Sequence, residues 1–259
     1  MVELPFDQKV LPIPVRAELK GLPTELADIV GAHLVAAAEA MEVDPALALR
    51  HAQAARRRAA RMAVTREAVA EAAYAAGEWS VALNEFRSLR RMTGDTAWLP
   101  VMADCERALE RPQAALRLVA EAAELGLPRD QAMEMRIIEA GARADLGQTA
   151  EAARVLRRSL AEVERRPGPE RIRVGYAYAD RLLESGDTKQ GGTLFRQVAD
   201  WDVDGITDAA ARCDELEGFH FDLSDSDAAP DDDPDDRTDE NVAALGDNDQ
   251  VDPAGGEDS

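Results

Sequence analysis

Three histidines, His33, His51 and His220, and two cysteines, Cys105 and Cys213, are the residues of this chain most suited to holding a transition metal. A zinc centre draws on close pairs such as Cys-x-x-Cys or His-x3-His, and none occurs here. The five side chains are scattered singly, so they read as helix-face histidines and reduced thiols of a cytosolic protein. Gly-x-Ser-x-Gly and the glycine-rich phosphate loops are absent, and Gly191-Gly192 falls where two helices would cross. The stretch DNDQVDPAGGED superficially resembles a calcium loop through Asp247 and Asp249. It fails where Val251 and Asp252 take the places of an oxygen ligand and the turn glycine. Carboxylates are abundant, with 51 Asp and Glu against 30 Lys and Arg, but catalysis needs a pair in unequal environments, and no motif singles one out. The expectation is a non-enzyme with no metal, cofactor or small-molecule substrate.

What remains is charge on a scaffold, and the scaffold is legible. The stretch AAYAAGEWSVALNEFRSLRRMTGD, residues 72–95, holds a small-residue helix, a Gly-x-Trp corner and a second amphipathic run. Small residues recur at Ala48, Ala82, Ala115, Ala152 and Gly191, separated by 34, 33, 37 and 39 positions. A period near 34 with a small residue at each crossing marks stacked helical hairpins. Apolar residues such as Val81, Phe86 and Leu89 fall at helical spacing, and few runs alternate with period two. Stops stand at Gly94, at Gly126 with Pro128, and at Pro167-Gly168-Pro169. Five hairpins are predicted, at about 24–62, 64–92, 95–125, 128–166 and 169–200. A terminal helix with Ile206, Ala210, Cys213 and Leu216 on one face would cap the stack.

The segments AAGEWSVALNEF and RADLGQTAEAARVL resemble tetratricopeptide repeats, in which glycine ends the first helix, a bulky residue follows and alanine admits the second helix. The likeness covers roughly residues 24–217. Glu110 and Val43 stand where glycine is expected, and Gly191 replaces alanine. The segments HLVAA, GEW and VMADCERAL are also similar to an uncharacterised group of tetratricopeptide proteins from high-GC Gram-positive bacteria; separately, 27 Arg against three Lys, with the alanine-rich helices, suggests a GC-rich bacterial genome. The resemblance implies an all-α solenoid whose first helices line a concave groove. It assigns to that groove Glu67, Glu71, Tyr74, Asp104, Arg107, Glu134, Ile137, Asp145, Arg173, Tyr176, Asp180 and Glu184. The Lys, Asn and Arg clamp of chaperone-binding members is missing, so the expected partner is a basic peptide or protein surface.

A second surface has the opposite sign. Arg57, Arg58, Arg61, Arg90, Arg91, Arg157 and Arg158 lie near the ends of second helices, where they complement the helix dipole. In register they would form an edge able to meet RNA, the alternative partner; aromatic interleaving for base stacking is lacking.

The expected domains are an extended, proline-containing segment over 1–22, the repeat domain over 23–217, and a disordered acidic tail over 218–259. The tail has 15 acidic residues against Arg237 alone, 14 of the 21 net negative charges, and too few apolar residues to offset chain ordering. Such a segment could also compete with polyanions for the arginine edge. The start, MVELPFDQKVLPIPV, has acids and prolines where a signal peptide needs a basic end and an apolar run. No stretch approaches the roughly 20 apolar residues of a membrane span. A cytoplasmic location is expected.

Overall fold

The alanine- and leucine-rich runs between the glycine and proline stops all fold as helix. The computed structural model describes residues 8–218 and contains α1 (Ile13–Leu19), α2 (Thr24–Ala40), α3 (Pro45–Arg58), α4 (Ala63–Ala75), α5 (Trp79–Thr93), α6 (Leu99–Ala108), α7 (Pro112–Leu125), α8 (Arg129–Asp145), α9 (Thr149–Val163), α10 (Pro169–Glu184), α11 (Thr188–Trp201) and α12 (Ala209–Glu217). No strand occurs among the described residues. From α2 onward each helix packs chiefly on its neighbours in sequence. First helices of successive hairpins also touch, α2 with α4, α6 with α8 and α8 with α10. This layered order is compatible with an α-solenoid. The acidic tail lies outside the described residues beyond Gly218.

Four of the five corners share one geometry. After α4, α6, α8 and α10 the chain turns through a left-handed residue, Gly77 (φ 74°), Glu110 (φ 57°), Gly147 (φ 74°) and Gly186 (φ 87°). The next N–H reaches back five residues in each case: Glu78 donates to the carbonyl of Ala73, Arg111 to Glu106, Gln148 to Arg143 and Asp187 to Leu182, at 2.8–2.9 Å. That bond satisfies a carbonyl the helix leaves orphaned. Glu110 thus does the work of a glycine with a Cβ attached. Val43 does not: the first corner is a longer turn in which Asp44 caps α3 by accepting from the Leu47 N–H at 2.8 Å.

Alanine at the crossings allows the close approach. Ala48, Ala52, Ala82, Ala115 and Ala152 have no exposed surface, and around the second hairpin Leu83, Phe86, Leu89 and Met102 fill what these small residues leave. At Gly191 an added Cβ would come within 2.6 Å of Leu183 Cδ2 and 3.1 Å of the Ala179 carbonyl oxygen, so α10 and α11 cross closer than alanine permits.

Two expectations are corrected. The described part of residues 1–22 is a 3-10 turn over Gln8–Val10 followed by α1, not an extended segment. The prolines open this helix, where a missing N–H costs nothing, and Leu11 and Leu19 pack with Val30, Leu34 and Ala59. The capping face of α12 is also different: Ala209 is buried and Cys213 half-buried against Leu194, Phe195 and Val198. Ile206 precedes the helix, and with Ala210 and Leu216 it faces outward. The cause is a turn held by Asp202, whose carboxylate accepts from the Ile206 and Thr207 N–H groups and the Thr207 hydroxyl at 2.6 Å, delaying the helix start.

Candidate functional site

The first helices carry a polar ladder that joins one hairpin to the next. Tyr74 on α4 donates its hydroxyl to Asp104 Oδ2 on α6 at 2.5 Å. Arg107 on α6 reaches α8, its Nε donating to Asp145 Oδ2 at 2.9 Å, while Asp104 stands 3.6 Å from its Nη1. Arg173 on α10 reaches back to Glu134 on α8 at 2.5 Å, and Arg212 on α12 approaches Asp180 on α10 at 3.7 Å. Tyr176 bonds to Asp208, and burial followed by that bond pushes its hydroxyl up to about 12. Burial and the Asp104 bond likewise raise Tyr74, so both phenols stay protonated donors.

Of the twelve residues assigned to the groove, Tyr74, Asp104, Arg107, Glu134, Asp145, Arg173, Tyr176 and Asp180 therefore contact a neighbouring hairpin or the terminal helix, Glu184 pairs with Arg181 on its own helix, and most of this charge is compensated internally. Glu67 and Glu71 are different. Neither has an ion-pair or hydrogen-bond partner among the described residues, and both carboxyls are raised above the ordinary range. Lost hydration is the main cause for each, followed by the charges of Glu18 and Asp95 on Glu67 and that of Glu67 on Glu71. Glu71 keeps open surface toward solvent even so. An open but poorly hydrated carboxylate is what a concave, protein-walled surface produces.

The arginine edge is broken up by local pairing. Arg90 binds Glu121 at 2.5 Å, Arg158 lies 3.5 Å from Glu162, Arg91 donates to Ser88 and Arg58 to the Ala54 carbonyl. Arg57, Arg61 and Arg157 are exposed, with no ion pair among the described residues.

Sequence reasoning missed three buried glutamates. Glu85 holds Arg56 from α3 and Arg66 from α4 at 2.9 and 2.7 Å. Glu106, 3% exposed, pairs with Arg87 from α5 and stands 3.8 Å from Arg111. Glu139 is flanked by Arg136 and Arg143 on its own helix. Only the Arg136, Glu139 and Arg143 spacing was visible as a helical i, i+3 and i+4 pattern. Cys105 lies buried nearby, and burial with the Asp104 and Glu106 charges pushes its thiol up to about 12, which excludes a reactive thiolate near neutral pH.

His33 and His51, far apart in sequence, meet across the first hairpin with Nδ1 atoms 3.1 Å apart. The short contact requires one ring to donate and the other to accept. Burial first, then Arg58, His51 and Arg57, lowers the His33 pKa below the ordinary 6.5. The unfolded chain therefore binds the extra proton first, so stability is complete above about pH 6.5 and falls as pH drops through the lowered folded value. His33→Gln is expected to reduce the melting-temperature difference between about pH 7.5 and about pH 5.5. An unchanged difference would show that the pair does not titrate with folding.

No group of three or more metal-ligating side chains converges among the described residues, and none of their helices is long and apolar enough to cross a membrane. No family model, curated protein or solved structure matches this chain.

Proposed function

We propose that the chain is a tetratricopeptide-like, non-enzymatic scaffold of the bacterial cytoplasm whose first-helix groove binds a basic peptide or protein surface. The observation that supports this reading is the pair Glu67 and Glu71. Every other acid assigned to the groove has an arginine or tyrosine partner, whereas these two are held in poor hydration without one among the described residues. A raised carboxyl pKa is a folding penalty at neutral pH that an incoming cation would relieve.

The Glu67→Gln, Glu71→Gln double variant is expected to melt at a higher temperature than the native chain near neutral pH. It should also lose retention on an immobilised arginine-rich peptide at low salt. The stability gain should shrink as pH falls through the raised range in which the folded carboxyls protonate, and vanish below the ordinary carboxyl value. Equal retention by the two proteins would remove the groove from the function.

The alternative is an RNA-associated protein that uses the arginine edge, supported by the unpaired Arg57, Arg61 and Arg157. Replacing these three by glutamine would then lower heparin and RNA retention and flatten its salt dependence. Unchanged polyanion retention, with peptide binding present, would leave the groove reading alone.

A further inference from the structure

A cleft of about 610 Å³ opens beside the corners of the second and third hairpins, lined by Trp79, Asp104, Arg107, Glu110 and Asp145. Its ionisable lining is three carboxylates against one guanidinium, and that guanidinium is already committed. Arg107 is held by Asp145 and Asp104 and lies on Gly141, where an added Cβ would come within 2.4 Å of its Cζ. The cleft therefore keeps a surplus of negative charge beside an aromatic ring. Trp79 is fixed edge-on by Tyr74, with ring centroids 5.3 Å apart, and Tyr74 is itself tied to Asp104.

Glu110 supplies an independent observation. Among the described residues it alone has a positive φ without being glycine, and it is exposed at the lip of this cleft. The equivalent corners use Gly77, Gly147 and Gly186. A glutamate here accepts backbone strain that glycine would avoid, and it adds a carboxylate to the cleft that Trp79 also lines.

We infer that this cleft seats one arginine side chain of the basic partner, its guanidinium stacked on Trp79 and paired with the Glu110 carboxylate. Aromatic faces attract guanidinium groups, whose planarity also suits stacking, so arginine is favoured over lysine. The inference rests on the basic-partner reading above and locates one contact of that partner at the corner side of the first helices.

The test is fluorescence anisotropy of labelled hexa-arginine and hexa-lysine peptides with the full chain at low salt. Hexa-arginine should bind more tightly. Glu110→Gly should weaken it about threefold while raising the melting temperature, a combination that generalised damage cannot produce. Trp79→Leu should weaken it roughly three- to tenfold, with helicity checked by circular dichroism; should that variant unfold, Glu110→Gly alone decides. Native affinity in Glu110→Gly, together with weakened binding in the Glu67→Gln, Glu71→Gln variant, would overturn the cleft assignment and leave the groove reading intact. Failure of the native chain to bind either peptide would overturn both.

Discussion

Arg87→Ala is expected to destabilise the helical domain by about 2–3 kcal/mol, a fall in melting temperature of roughly 5–10 °C for a domain of this size. Glu106 is almost wholly buried, and among the described residues Arg87 is the one cation within hydrogen-bonding reach of it; Arg111 is more distant. Glu106 Oε2 has no hydrogen-bond partner even in the intact structure. Removing Arg87 leaves a buried carboxylate with little compensation, which typically costs about 3–5 kcal/mol for a fully buried pair. Arg87 keeps 41% of its side chain exposed, so the lower figure applies. The informative comparison is the Arg87→Met, Glu106→Met double variant, which should recover most of the loss because neither side chain then needs desolvating as a charge. Urea unfolding of the native chain, the Arg87→Met and Glu106→Met single variants and the double variant measures the coupling. A single variant as stable as the native chain would mean that this pair contributes nothing between the second and third hairpins.

Ala82→Phe should cost about 1–3 kcal/mol by overpacking the crossing of α4 and α5. Ala82 has no accessible surface, and its surroundings, including Val69, Ala73 and Leu83, are buried as well. A phenyl ring can enter only by parting the two helices or taking strained rotamers. Ser80→Phe, an exposed change in the same first turn, is the control and should stay within about 0.5 kcal/mol of the native chain. An unchanged melting temperature for Ala82→Phe would show that the crossing is looser than full burial of Ala82 implies.

The five hairpins and their crossing residues were legible because both follow from local rules. Gly77 and Gly147 end helices through their own backbone freedom, and alanine at a 34-residue period records where two helices touch. The same logic erred where the local signal was ambiguous. Pro12 and Pro14 indicate an extended chain as readily as a helix start, and only burial of Leu11 and Leu19 against α2 and α3 selects the helix. On α12 only Cys213 of the expected face meets the core, beside Ala209, because the Asp202 turn leaves Ile206 ahead of the helix and Ala210 and Leu216 face solvent.

The candidate groove divides along the same line. Sequence placed Tyr74, Asp104, Arg107, Asp145 and Asp180 on first helices, but their mutual pairing across hairpins depends on the spacing and rotation between layers, quantities that no repeat period encodes. For the same reason, singling out Glu67 and Glu71 as the acids without a partner required the folded chain. The His33 and His51 contact, the burial of Glu106 and the cleft between Trp79 and Glu110 were likewise invisible. By itself the sequence determined helix, corner and crossing, since each depends on residues within a few turns of one another. Which charges are cancelled, which are left in need of a partner and where an aromatic ring meets a carboxylate were decided by tertiary structure alone, because electrostatic and packing energies depend on distances between hairpins.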